Sequence, residues 1–331
     1  MPTQGFIYGI AAAITLGIQC LGFSAAYALR TEVFYDILGG LNYLVLALFS
    51  AILGSGNPED PNALQWIDDP RKIIATVLFI FSRGWLLLFL AWRAHERGGD
   101  SRFDEVLGKG GGPMQPVTFF VFWMAQAFWV YLISMPLLFI NSSDVKKPGF
   151  TAYDITFAAL FACGVMIEIL ADIQKSLWVK KGRPGQFCSV GVWRFSRHPN
   201  YFGEIFQWWC LWAFSYSSSE NPNGGYADPL WWAGIVSPLF TMHILLNMEP
   251  TGLCNANSEQ SLKRYYDKCP ESYTAYRENT SILIPMIGYK YIPKVLKRTI
   301  FLDFKKYEYK PTTADSVNKE EVQNSDSSGQ D

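Results

Sequence analysis

Seven times between residues 5 and 248 the sequence returns to a long, mainly apolar stretch, at 5–28, 37–54, 73–92, 116–140, 153–174, 201–218 and 229–248. Each has the length, roughly 17 to 25 residues, that carries an α-helix across the hydrocarbon core of a bilayer. Lipid offers no partners to backbone amides, so stretches this long must satisfy their own hydrogen bonds as helices. The expected fold is all-α, a polytopic transmembrane helix bundle of about seven spans. Composition agrees: half of the 331 residues are hydrophobic and 17% are charged, against about 25% in ordinary soluble domains. A formal net charge of −1 gives no reason to expect nucleic acid. The surroundings implied are membrane lipids. The first stretch has no basic leader and runs past the length of a signal-peptide core, so it reads as a retained helix. Cys20, Cys163, Cys188, Cys210, Cys254 and Cys269 stand singly, which argues against a disulfide framework or a bound metal.

Cytoplasmic loops are enriched in Lys and Arg, and this sets an expected orientation. With seven spans, one side receives Arg30, then Arg93, Arg97, Arg102 and Lys109, then Lys180, Lys181, Arg183 and Arg194, and the basic C-terminal region. The other receives Glu59, Asp60, Asp68 and Asp69, a short loop with Lys146 and Lys147, and a segment from Ser219 to Asp228 without a basic residue. The N-terminus is expected outside and the C-terminus in the cytosol, with the endoplasmic reticulum or another internal membrane as the location. Gly98, Gly99, Gly108 and Gly110 to Gly112 read as a flexible connection. They are no phosphate fingerprint, because no strand-turn-helix unit surrounds them. Residues 1–288 form the expected transmembrane domain. Residues 289–310, where Lys290, Lys294, Lys297, Arg298, Lys305 and Lys306 alternate with Ile, Leu, Phe and Tyr, suit the surface of an anionic leaflet, though a solvated charged face fits as well. Residues 311–331 are polar and acidic and read as a disordered tail.

Chemistry concentrates around the fifth stretch and the loop that follows it. Glu168, Asp172 and Lys175 fall at i, i+4 and i+7 on one helix face, among apolar neighbours. The loop Arg183-Pro184-Gly185 to Gly191 returns the chain to Arg194 and then to Arg197-His198-Pro199-Asn200-Tyr201-Phe202-Gly203-Glu204. Pro199 suits a first helical turn, which places Asn200 and Glu204 at i and i+4. A dinucleotide carries a diphosphate that needs Arg, Lys and helix N-terminal amides. Its riboses and carboxamide need groups such as Asp, Glu and Asn. All of these lie between Glu168 and Glu204, but buried salt bridges serving only helix packing, such as Glu168 or Asp172 with Arg197, would use the same residues.

The segment Arg197 to Glu204 closely resembles the signature of the membrane-bound steroid 5-alpha-reductase C-terminal family, including its DUF1295 branch. The resemblance runs from about Phe81 to Pro285 and is strongest from Glu168 to Trp209. Gly99-Asp100-Ser101-Arg102-Phe103 and Gln126 resemble further elements of that branch. It implies an NADPH site at Glu168, Asp172, Lys175, Arg197, His198, Asn200, Tyr201 and Glu204. A tyrosine-rich element ending in Ile-Pro, here Tyr265-Tyr266, Tyr273-Thr274-Ala275-Tyr276-Arg277 and Leu283-Ile284-Pro285, adds Tyr273 and Tyr276, which also suit a helix anchored at the membrane interface.

The implied activity is NADPH-dependent reduction of a carbon–carbon double bond in a sterol-like or enoyl lipid. Such chemistry needs a donor at the substrate oxygen. In the steroid-reducing relatives that donor pair looks like a Glu and a Tyr on the early helices. Here no Asp or Glu lies inside the first three stretches, which leaves Tyr43 and Arg83 as the candidate catalytic residues. Arg83 sits too deep in the third stretch for easy snorkelling, so it should face a cavity or a partner, with Glu168 and Glu204 as the alternatives. Isoprenylcysteine and phospholipid methyltransferases share an Arg-His-Pro turn and an acidic, tyrosine-containing end, matched here by Glu259 before Tyr265-Tyr266. That keeps S-adenosylmethionine chemistry as an alternative. A non-catalytic sterol or lipid binder is a third. The tryptophans Trp208, Trp209, Trp212, Trp231 and Trp232 could stack a flat hydrophobic ligand but read more readily as core packing or lipid-facing belts. His243, Asn247 and Glu249 near the end of the last stretch could touch the cofactor, though a helix-packing pair explains His243 and Asn247 just as well.

Overall fold

The structure, a computed structural model, describes residues 4–54, 69–97, 100, 103–109, 111–143, 149–219, 228–248 and 252–309. The expectations for Glu59, Asp60, Asp68, Gly98, Gly99, Ser101, Arg102, Gly110, Lys146, Lys147, Glu249, 220–227 and the tail 311–331 lie outside the described residues. The described residues form helices and turns with no strand, apart from one isolated bridge between Ser196 and Ser281.

The helices are α1 Gln4–Leu29, α2 Val33–Leu53, α3 Pro70–Arg97, α4 Pro116–Ser142, α5 Ala152–Lys180, α6 Pro199–Ser215, α7 Pro229–Ala233, α8 Val236–Asn247, α9 Leu253–Ala256, α10 Glu259–Tyr266, α11 Pro270–Asn279 and α12 Lys294–Thr299. Proline opens α3, α4, α6, α7 and α11, where its missing N–H costs nothing. Six helices are long and apolar enough to cross a membrane, namely α1 to α5 and the α7–α8 pair taken together, and the chain is an integral membrane protein.

That is one span fewer than the apolar stretches suggest. The stretch 201–218 ends its α-helix at Ser215, so α6 has 17 residues and reaches roughly 26 Å at about 1.5 Å per residue. The cause is the serine run that follows. Ser215 and Ser219 turn their hydroxyls back onto the carbonyls of Trp212 and Tyr216, each at 2.6 Å, and Tyr216–Ser218 tightens into a 3-10 turn. Side-chain bonds of this kind compete with the helical ladder. The last stretch, 229–248, breaks at Gly234-Ile235 into α7 and α8.

The chain divides into two compact units, Met1–Ile169 with Gly203–His243, and Leu170–Phe202 with Ile244–Asp331. In the first, α1 packs on α2 and α4, and α2 on α3 and α4, around a core that includes Leu46, Phe79, Ile133, Phe161 and Trp208. Polar pins cross this apolar interior. Arg71 meets Asp154 at 2.9 Å and the Gly149 carbonyl at 2.6 Å, and Asn141 donates to Ser50 at 2.9 Å and Thr76 at 3.1 Å. Each pin satisfies polar groups that hydrocarbon would not.

Between α3 and α4, the described residues 103–109 are packed. Phe103, Val106 and Leu107 are buried against Phe119 and Trp123, Lys109 reaches Glu32 at 2.6 Å, and the positive φ of Gly108 (69°) lets the turn close. Burying one large aromatic residue outweighs the freedom of its glycine neighbours.

The second unit is built on short helices and a C-terminal strap. Residues Ser281 to Leu283 lie along Ser196 to His198. The Arg197 amide donates to the Ser281 carbonyl at 2.8 Å, and the Ser196 hydroxyl to the Leu283 carbonyl at 2.7 Å. Gly191 sits at φ 53° with the Gln174 amide where a Cβ would project, at 2.3 Å. Gln174 Oε1 in turn accepts from the Val192 amide at 2.9 Å, so this loop has room for glycine alone.

Candidate functional site

In the first unit the charged residues of α3, α5 and α6 form a closed network. Gly203 and Gly164 let α5 and α6 approach backbone to backbone, a Cβ on Gly203 falling 2.6 Å from the Gly164 carbonyl oxygen and 2.8 Å from the Glu168 nitrogen. One turn along, Arg83 forks onto Glu204, Nη1 to Oε1 at 2.9 Å and Nη2 to Oε2 at 2.7 Å, and its Nε and Nη2 also reach the Ser82 hydroxyl. Gln207 donates from Nε2 to Glu168 at 2.7 Å and to Glu204 at 2.8 Å, and accepts from Ser82 at 2.5 Å. Trp208 closes the ring, its indole N–H on Glu204 at 2.9 Å and its face 4.6 Å beneath the Arg83 guanidinium. The depth of Arg83 in its span is thus explained by a partner, Glu204, with Glu168 4.0 Å away. So engaged, Arg83 acts on its surroundings as a fixed charge.

Tyr43 belongs to the same neighbourhood. Its ring lies 5.7 Å from the Arg83 guanidinium, it is buried, and its hydroxyl makes no hydrogen bond among the described residues. Asn42, beside it on α2, takes one bond from Gln19 of α1 at 3.3 Å, leaving Asn42 Nδ2 and Gln19 Oε1 buried without a partner. Unsatisfied amide atoms in an apolar interior are costly, and here they leave one donor and one acceptor without a partner among the described residues.

The second unit holds the basic turn. Arg197 is buried and gives Nη2 to Asp303, while its Nε and Nη1 have no acceptor among the described residues. The Tyr289 hydroxyl donates to the same Asp303 oxygen at 3.0 Å, and Arg277 stands 3.8 Å from the other. α6 begins two residues after Arg197, so the first-turn amides of Asn200 and Tyr201 precede the first intrahelical bond, which Phe202 makes to the His198 carbonyl at 3.1 Å. The Asn200 side chain makes no hydrogen bond among the described residues. Lys175 lies over the Trp193 ring at 4.7 Å, Asp172 is buried on α5, and Tyr201 stacks on His198 at 5.5 Å.

Tyr273 and Tyr276 build the wall of this unit. Tyr273 stacks on Tyr265 at 4.5 Å and meets Phe187 at 5.3 Å, and Tyr276 donates to the Trp193 carbonyl at 2.6 Å. Burial pushes the Tyr273 phenol up to about 12, against the downward pull of Arg197 and Arg277. The expected site residues therefore fall into two groups: Tyr43, Arg83, Glu168 and Glu204 in one unit, and Asp172, Lys175, Arg197, His198, Asn200, Tyr201, Tyr273 and Tyr276 in the other. Gln207, Asp303, Tyr289 and Arg277 complete these groups and were not anticipated.

His198 is neutral in this setting. Its Nδ1 lies 3.0 Å from the Ile282 carbonyl, the donor role following from that acceptor. Burial holds its pKa down to about 3, assisted by Arg197 and Lys175 and opposed by the Ile282 carbonyl and Asp303. A depressed histidine binds its proton more readily in the unfolded chain, so its contribution to stability is complete above about 6.5. It is lost as the pH falls from there toward about 3. Thermal unfolding midpoints of His198→Asn, which keeps a donor for Ile282, should fall less steeply than those of the wild type between these limits. Parallel curves would show that His198 is not held neutral.

The family described as "Protein of unknown function (DUF1295)" matches residues 22–280. No curated protein and no solved structure matches the chain.

Proposed function

We propose, for a chain that belongs to the DUF1295 family, an NAD(P)H-dependent reductase of a carbon–carbon double bond in a sterol-like or enoyl lipid, working in an internal membrane such as the endoplasmic reticulum. The observation that carries this reading is Arg197, a buried guanidinium with two donors left over after its Asp303 pair. A buried charge keeps unpaired donors at considerable cost unless something outside the protein takes them. With the N-terminal turn of α6 following it in the chain, the acceptor that fits is an anion. A dinucleotide diphosphate meets that description, with Lys175 adding positive charge, Asn200 and Asp172 suited to ribose or carboxamide, and the Tyr273–Tyr276 wall holding the turn in place.

When bound, a reduced nicotinamide supplies a hydride for the β carbon of a double bond conjugated to a carbonyl. The protein's part is the proton and the field. Within the first unit, the Tyr43 hydroxyl would donate to a substrate oxygen, and Arg83, held by Glu204, would supply a fixed positive charge.

A carboxylate would also satisfy Arg197, so S-adenosylmethionine chemistry is the second reading. Thermal unfolding of the purified chain in detergent separates them, because a ligand at a hundredfold its Kd stabilises by about 2.7 kcal/mol. NADPH is expected to raise the midpoint, and Arg197→Leu to remove that rise while the variant still unfolds cooperatively. Asn200→Ala, which removes no hydrogen bond among the described residues, should weaken it. A rise with S-adenosylmethionine alone would support the methyltransferase. A response to neither would leave a lipid binder without turnover.

A further inference from the structure

The strap from Ile284 to Tyr309 sorts its large side chains by direction. Tyr289 and Tyr307 point inward and are buried. Tyr289 donates to Asp303, the Tyr307 carbonyl accepts from Arg277 at 2.7 Å, and the Tyr307 hydroxyl shares a hydrogen bond with Cys254 at 3.0 Å. Outward stand Ile287 at 85% exposure, Tyr291 at 78%, Val295 at 71% and Ile300 at 61%, and α12 buries no residue at all. The outward set is not a frayed end, since inward anchors fix the strap on both sides of it. In water so dense a cluster of exposed apolar groups would be an anomaly.

Charge identifies what covers it. Residues 287–309 carry six basic side chains, Lys290, Lys294, Lys297, Arg298, Lys305 and Lys306, against two acidic ones, Asp303 and Glu308. Both acids are already committed, Asp303 to Arg197 and Glu308 to Arg298 at 2.6 Å. Lys290 and Lys294 are exposed among the apolar residues, and Lys290 lies over the Tyr291 ring at 4.8 Å. Apolar groups interleaved with cations, on an integral membrane protein, match the acyl boundary and headgroups of an acidic leaflet.

We propose that this face, centred on Ile287, Tyr291, Val295 and Ile300, rests on an anionic lipid surface, with Lys290 and Lys294 on its headgroups. The inference is independent of the reductase reading. It is tested by hydroxyl-radical footprinting of the full chain in nanodiscs, one set of phosphatidylcholine alone and one with about a third phosphatidylserine. Modification of Tyr291, Ile287 and Val295 is expected to fall several-fold in the anionic discs and to recover at high salt, where headgroup attraction is screened. Tyr289 and Tyr307 should stay unmodified in both, reporting an intact fold. The double variant Lys290→Glu/Lys294→Glu should lose the protection while keeping that internal pattern. Equal exposure in both discs would overturn the proposal and leave an acidic protein face as the occupant. Equal protection in both would also overturn it, because headgroup charge would then play no part.

Discussion

Arg83→Leu is expected to lower stability by about 3–5 kcal/mol, the usual consequence of removing one member of a buried ion pair. The guanidinium is 1% exposed and forks onto Glu204. Its loss strands Glu204, with Glu168 nearby, in an interior that neither Gln207 nor Trp208 can neutralise, since both donate hydrogen bonds without carrying charge. For a protein of this size the loss corresponds to a fall on the order of 10 °C in the unfolding midpoint. Removing the partner as well should reverse much of it, because replacing both members of a buried pair by apolar side chains is often close to neutral. Arg83→Leu/Glu204→Leu is therefore expected to be more stable than Arg83→Leu. Arg83→Lys should fall between, keeping the charge but not the fork. If Arg83→Leu unfolded within a degree of the wild type, the guanidinium would have to be in water, and the network described above would not exist.

Much of this network was legible in the sequence, for a clear physical reason. An arginine ten residues into an apolar span cannot be left to lipid, so a partner was required, and Glu168 and Glu204 were the acids within reach of the argument. Gln207 was less visible because a neutral amide announces no cost. Its position three residues after Glu204 and one before Trp208, a single polar patch on one turn of α6, was the signal available. Asp303 could not be read at all, since it meets Arg197 across 106 residues of chain and no local periodicity links them. The trace was that Asp303 is one of two acids among the six cations of residues 287–309. The spans show the same division. Five apolar stretches became long continuous helices, because hydrophobic length and helix formation coincide in lipid. The stretch 201–218 ends its α-helix at Ser215, at the short limit of the spanning range, because an apolar average hid the serine run at its end. The burial of Phe103 was hidden in the same way, by the glycines around it.

Gly203→Ala is expected to have an effect of the same order as Arg83→Leu by a different route. A methyl group there would sit 2.6 Å from the carbonyl oxygen of Gly164 and 2.8 Å from the backbone nitrogen of Glu168. Neither atom belongs to a side chain that can turn aside, so α5 and α6 must separate. Overpacking in a core typically costs about 1–3 kcal/mol, and a clash with backbone belongs at or above the top of that range. Gly164→Ala is predicted to be milder, its nearest contacts lying at 3.1 Å. Gly84→Ala is the control: it neighbours Arg83 on α3 but its Cβ meets nothing within 4 Å, so it should be neutral or gain up to about 1 kcal/mol of helix propensity. The ranking in unfolding midpoints, Gly203→Ala lowest and Gly84→Ala highest, tests the crossing itself. Separation of the helices would also stretch the Gln207–Glu168 bond, so Gly203→Ala and Glu168→Gln should be non-additive, the second change costing less once the first has been made. Strict additivity would mean that the glycine contact and the charged network are independent, and that close approach in lipid, which small residues permit, is not what brings Glu168 to Gln207.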